Sequence, residues 1–294
     1  MHTITLHMAQ RQDLERLSEW LVANGQAPQV QCLHTWTGQN QAELWQGLLV
    51  NWDNRELCYI LALQEDELVG AMGCEFDEEL GRAWLYGPHV IAPDWELVAD
   101  ELYNHLLEAL PTSIRQWNAY LNVENQRGRH FYTRRDFLER PDLSFDFSIT
   151  AAERIPAMQT GCIQLDQSQA DSFTVLYEAL FPSAYYSASR LLRMLGTSHQ
   201  VLVIAEQDHV LGFAVLFLDE QHTTGEIQFL GVKPDCQRRG YGRRLLLASI
   251  DWFFDVTGVQ RVTLNVNAEN EHARHLYESA GFRLRYTGIG ISRA

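Results

Sequence analysis

EIQFLGVKPDCQRRGYGRRLLL, Glu226 to Leu247, is the stretch on which the fold turns. It opens with aliphatic and aromatic residues of strand type. Pro234 and the polar residues after it end that strand. The Leu run at the far end reads as the start of a buried helix. Four arginines (Arg238, Arg239, Arg243, Arg244) crowd Gly240 and Gly242 between the two. The first N–H groups of a helix lack internal partners, and its dipole places about half a positive charge there. Glycine lets a ligand approach the backbone closely. A strand, a glycine turn and a helix start therefore make an anion site, suited to phosphate. The arginines add charge-assisted hydrogen bonds. The plainer alternative is an ordinary loop before a helix.

The chain repeats itself around this stretch. YLNVENQRGRHFYTRRDF (Tyr120–Phe137) aligns without a gap on NVNAENEHARHLYESAGF (Asn265–Phe282). Asn125 meets Asn270, Arg129 meets Arg274, His130 meets His275, Tyr132 meets Tyr277 and Phe137 meets Phe282. Two upstream blocks keep nearly the same offset, with Gly70 on Gly212 and Pro93 on Pro234. One offset across three blocks points to a duplicated domain, with residues 1–152 and 153–294 as the two copies. In the second copy the patterns predict a helix over Ser168–Phe181, a hairpin over Gln200–Glu220 and a strand over Gly225–Val232. A helix from Gly240, a strand over Arg261–Asn267, a helix ending at Gly281 and a closing strand follow. The first copy has the same order, closed by LSFDFSIT (Leu143–Thr150). The fold class is α/β (α+β): two tandem domains, each a mixed, mostly antiparallel sheet flanked by helices.

Composition narrows the partners. The formal net charge of −15 argues against nucleic acid and anionic membranes. It is compatible with a cationic substrate steered by a negative field, and equally with plain solubility. Lys233 is the only lysine. The five cysteines are scattered without zinc spacing, which suits a reducing cytosol. The N-terminus has no signal pattern, and no apolar run approaches the roughly 20 residues that span a bilayer. A soluble, cytoplasmic protein without a metal is the expectation, monomeric or homodimeric.

The spacing Gln237-Arg238-Arg239-Gly240-Tyr241-Gly242 fails the dinucleotide fingerprint, because Leu245 stands at the third glycine position, and it is no P-loop. It resembles the pyrophosphate motif of the GNAT superfamily of acyl-CoA-dependent N-acetyltransferases. Three further features carry that resemblance: FLGVKP ahead of the motif, the Asn270-to-Tyr277 spacing in an LYE..GF context behind it, and the order of the blocks. The resemblance covers Gly161–Ala294 almost fully and the first copy in outline. The tandem layout is similar to that of the mycothiol synthase branch. The Asn-to-Tyr spacing also resembles ribosomal-protein acetyltransferases.

The resemblance implies acetyl-CoA as cosubstrate and a primary amine as acceptor, a small cationic molecule or a protein N-terminus. It implies that backbone groups of Leu230, Gly231 and Val232 hold the pantetheine arm. Gln237, Arg238, Arg239, Gly240, Tyr241, Gly242 and Arg243 would hold the pyrophosphate, and Asn270 would touch the pantetheine. Tyr277 would protonate the leaving thiolate. Glu226 is the candidate base, at the strand position where one branch of the family carries its glutamate. Each has a plainer alternative: a solvated strand start for Glu226, a core tyrosine for Tyr277, surface charge for Arg243 and Arg244. Tyr185 and Tyr186 are candidate substrate neighbours or sheet packing. His272 and His275 are substrate contacts or surface.

The first copy lacks the anion cradle. VIAPDWELVAD has no glycine after Pro93, and it sets Asp94, Glu96 and Asp100 where a pyrophosphate would sit. Leu85 stands at the position of Glu226. The expectation is a degenerate domain that supports the second, with a non-catalytic acyl-CoA-sensing module as the rival reading of the whole chain.

Overall fold

In the computed structural model the described residues are 4–35, 40–155, 161–182, 184, 186–196, 199–218 and 224–294. The chain divides into two compact units. One is Met1–Ser144 with Tyr286–Ala294, and the other is Phe145–Arg285.

The first unit runs β1 (Ile4–Met8), α1 (Leu14–Asn24), α2 (Gln41–Asp53), β2 (Leu57–Gln64), β3 (Glu67–Asp77) and β4 (Arg82–Val90). It continues with α3 (Trp95–Ala109), β5 (Gln116–Asn122), α4 (Gln126–Thr133) and the start of β6 (Leu138–Thr150). The second holds the end of β6, then β7 (Ile163–Gln164), α5 (Ala170–Leu180), α6 (Ala188–Met194), β8 (His199–Glu206), β9 (His209–Leu218) and β10 (Thr224–Val232). After these come α7 (Tyr241–Asp251), β11 (Arg261–Asn267), α8 (Glu271–Ser279) and the start of β12 (Arg283–Arg293). A π-helical turn over Trp252–Thr257 extends α7. The two units repeat one element order, as the sequence repeat predicts.

Among the described pairings the strands of each unit are mostly antiparallel, with one parallel pair at the site of interest: β4 with β5, and β10 with β11. Both units also carry a register shift on the strand that leads into the motif helix, between Ile227 and Phe229 in β10 and opposite Ala71 and Gly73 in β4. An extra residue of this kind kinks a strand and re-aims its side chains.

Both faces of each sheet are covered. In the second unit Leu245, Leu246 and Phe253 pack on one face, and Phe173, Tyr177 and Leu191 on the other. β9 between them is buried on both sides over most of its length. Each such side chain contributes about 1.5–3 kcal/mol on leaving water.

The closing strands differ from the sequence expectation. Gly288–Arg293 of β12 pairs antiparallel with β5, and Ile289 and Ile291 enter the core of the first unit. Phe147 and Ile149 of β6 enter the core of the second. The strand expected to close each copy therefore belongs to the other unit. Period-two alternation satisfies either partner equally, and β6 runs 13 residues with no turn at which a copy could end. No helix among the described residues is long and apolar enough to cross a membrane.

Candidate active site

The site begins where two parallel strands part. β10 and β11 pair only over Thr224–Arg261, Gly225–Val262 and Glu226–Thr263. Past that point their facing edges have no strand partner, and backbone amides there remain open to a ligand. A cleft of about 750 Å³ fills the gap. Ile227–Leu230 and Val232 form one wall, and Asn265–Asn267 the other. The start of α7 and one face of α8 close it.

Helix α7 enters this cleft uncapped. Its N-cap, Gly240, is left-handed (φ 81°, ψ 1°) and offers no side chain to the first turn. A side chain there would strain the backbone, although the space around it is open. At Gly242 an added Cβ would meet Leu276 at 3.4 Å and Val232 at 3.9 Å, both ordinary contacts. The N–H groups of the first turn thus point at the cleft without a protein acceptor competing for them. Arg238, also left-handed (φ 58°), lines the cleft, and neither it nor Arg239 has an acidic partner among the described residues. Arg243 behaves differently: its guanidinium donates to the Ser279 carbonyl (3.2 Å) and hydroxyl (2.9 Å), at the end of α8. A cation at a helix C-terminus is favourable in itself.

Of the residues singled out in the sequence, Leu230, Val232, Gln237, Arg238, Gly240, Tyr241, Gly242, Arg243, Asn270 and Tyr277 line this one cleft. Gly231, Arg239 and Glu226 do not. Gly231 faces Leu180 and Phe213 across the sheet. Asn270 caps α8 by accepting from the Ala273 amide at 3.1 Å. His272 lines the cleft, while His275 is two-thirds exposed beside Glu278. Tyr185 lies outside the described residues. Tyr186 packs edge-on to His199, with Arg190 over its ring. No group of three metal-ligating side chains occurs among the described residues.

Two titratable groups stand out. The Tyr277 ring is buried against Phe147 and Phe282, and burial pushes its phenol up to about 12. Among the described residues its hydroxyl has no hydrogen-bond partner. Glu226 is held above its usual carboxyl range by burial; a hydrogen bond from Gln228 opposes this and the nearby Asp146 carboxylate adds to it. A partly buried carboxylate with a raised pKa is a stronger proton acceptor.

The first unit shows the same architecture with the gap between its parted strands plugged, while an outer cavity of about 590 Å³ remains beside Pro88–Ile91, Trp95 and Asn125–Arg127. β4 and β5 also part, after Leu85–Ala119. The segment Gln31–Thr35 lies in the gap. Leu33 N–H donates to Tyr120 O (2.7 Å), Asn122 N–H donates to Gln31 O (3.3 Å), and Cys32 bridges Leu121. Asn125, the counterpart of Asn270, caps α4 and donates its amide to Gln31 O at 3.1 Å. Tyr132, the counterpart of Tyr277, spends its hydroxyl on Gly87 O at 2.7 Å. The acids at the helix start are paired as well, Glu96 and Asp100 with Arg134, and Asp100 with Arg135. Sequence reading found the acids but not the plug, since no periodicity marks QCLHT and its bonds to β5 span about 90 residues.

Residues 163–282 match the family described as Acetyltransferase (GNAT) family. Over 75 residues the chain is 36% identical to a mycothiol acetyltransferase of Rhodococcus jostii, a match spanning 26% of this chain and 24% of that protein. It is 31% identical over 77 residues to a spermidine N(1)-acetyltransferase of Vibrio cholerae, covering 26% of this chain and 44% of that one. It is 33% identical over 99 residues to a [ribosomal protein bS18]-alanine N-acetyltransferase of Haemophilus ducreyi, covering 33% and 65%. The chain thus spans about a quarter of the length of the mycothiol acetyltransferases it matches. Two solved structures share the fold over 99% of this chain. A GCN5-related N-acetyltransferase from Sphaerobacter thermophilus has a TM-score of 0.69 at 16% identity, with 95% of that chain covered. A tandem GNAT protein from the clavulanic acid biosynthesis pathway has 0.65 at 12%, with 98% covered.

Proposed function

We propose that this chain, whose residues 163–282 match the GNAT acetyltransferase family, transfers an acetyl group from acetyl-CoA to a primary amine of a small cationic molecule. The observation that carries this is the uncapped start of α7 opening into the same cleft as the free Tyr277 hydroxyl. The pyrophosphate binds the first-turn N–H groups of α7, with the cleft-lining Arg238 as a side-chain partner. Arg243 contributes its backbone, because its guanidinium is already used. The pantetheine arm lies between β10 and β11, where the first unit lays its own peptide.

An amine with a pKa near 10 is mostly protonated at neutral pH, and supplying the free base costs about 4 kcal/mol for three pKa units. Glu226, set back from the cleft behind the lining residue Gln228, takes that proton through water. The amine nitrogen bonds to the acetyl carbon, the carbon–sulfur bond breaks, the leaving sulfur takes the Tyr277 hydroxyl proton, and the second proton shed by the nitrogen returns through water to Tyr277. A phenol held near 12 stays protonated throughout the working range, as this role requires. Tyr277→Phe is expected to lower kcat about 10²-fold with KM for acetyl-CoA little changed; an unchanged kcat would remove Tyr277 from the chemistry.

The net charge supports the cationic acceptor, since a negative field raises the arrival rate of cations. The likeness to the ribosomal-protein alanine acetyltransferase favours a second reading, a protein N-terminus. Thiol release from acetyl-CoA with polyamines, aminoglycosides and N-terminal peptides distinguishes them. The first reading expects release with small amines. Release with peptides alone would establish the second, and binding without release for any amine would leave a sensing module.

A further inference from the structure

A polar chain crosses the sheet at the point where β10 and β11 part. His199, Phe217 and Glu226 are in direct register across β8, β9 and β10. Gln228, two residues along β10 from Glu226, shares their face by alternation. Gln228 Oε1 lies 3.1 Å from His199 Nε2, and Gln228 Nε2 donates to Glu226 Oε2 at 3.4 Å. An amide has one acceptor end and one donor end, so the direction of the chain is fixed. His199 donates from Nε2, Gln228 passes the polarity on, and the Glu226 carboxylate receives. The reversed amide would set its oxygen against a carboxylate. His199 is only 3% exposed, and its ring is wedged between Phe217 and Tyr186 at centroid separations of 5.1 and 5.7 Å. That packing holds the imidazole, and through it the amide. Among the described residues Glu226 Oε1 makes no hydrogen bond, so one carboxylate oxygen is tied and the other is left for a proton.

We propose that His199 and Gln228 are positioning residues for the transfer: the histidine fixes the Gln228 amide, and the amide keeps the Glu226 carboxylate ionised and oriented. This rests on the reading of Glu226 as the base. The physical need is plain, because burial alone drives Glu226 towards its neutral, inactive form and the amide N–H opposes it. The other charges in play are Asp146 on β6, which also disfavours the carboxylate, and Arg190 on α6, which acts on His199.

The test is the acid limb of the kcat/KM profile, measured on the full chain. Losing a hydrogen bond to a charged group should move that limb upward by about one pH unit or more in His199→Phe and Gln228→Leu, a tenfold or greater fall in rate below it. His199→Phe keeps the ring packing. His199→Gln restores a donor near the Nε2 position and should return the limb towards the parent. A thermal shift with acetyl-CoA confirms that each variant is folded. An unmoved limb in folded His199→Phe and Gln228→Leu would overturn the positioning role. So would disappearance of the limb in His199→Phe, which would make His199 the titrating group. Glu226→Gln separates the two ideas. If it keeps the parent rate and limb, the base reading fails and the positioning role with it. If it loses both while the neighbouring variants leave the limb in place, only the positioning role fails.

Discussion

Glu226→Gln is expected to reduce kcat by about 10² to 10⁴-fold, the usual worth of general base catalysis. The change is nearly isosteric, and the new amide oxygen can still accept from Gln228, so the fold and the acetyl-CoA affinity should hold. The pH profile carries the sign. Glu226 works as the carboxylate, and its raised pKa puts the loss of activity on the acid side, where it protonates. In the variant that limb disappears, because the amine must lose its own proton to solvent. The optimum then moves up towards the pKa of the amine. Steady-state rates from pH 5 to 10 would show it, and a profile matching the parent would rule out Glu226 as base.

Gly242→Asp should abolish acetyl-CoA binding, with at least a hundredfold loss of affinity, or about 2.7 kcal/mol. The new carboxylate would sit where the pyrophosphate binds. The substitution is otherwise mild. The Cβ meets Leu276 at ordinary contact distance, and an acid in the first turn complements the helix dipole. The variant should therefore melt no lower than the parent while losing the thermal shift that acetyl-CoA gives. The first unit carries this replacement in natural form, with Asp94 and Glu96 at the start of α3. A retained thermal shift would mean that the anion site lies elsewhere.

Much of this was legible in the sequence because it is local. The strand, turn and helix of Glu226–Leu247 each follow from a few adjacent residues, and the Asn270–Tyr277 block repeats Asn125–Tyr132 closely enough to expose the duplication. What escaped depends on partners far along the chain. The charge of Arg243 is visible, but its bond to Ser279, 36 residues on, is not. That Gln228 shares a face with Glu226 follows from simple alternation, but the histidine it bonds lies 29 residues away. His199 opens a strand and has no local mark; only its register through Phe217 gives it meaning. The exchanged closing strands follow the same rule, since β12 fits either sheet by pattern and is assigned by its pairing with β5.

The central claim is that one cleft, between β10 and β11, holds acyl-CoA, and that in the first unit Gln31–Thr35 takes the gap between strands where the pantetheine arm would lie. A calorimetric titration of the full chain with acetyl-CoA tests it most directly. One equivalent should bind to the parent and none to Gly242→Asp. Two equivalents in the parent, or one surviving in Gly242→Asp, would contradict it.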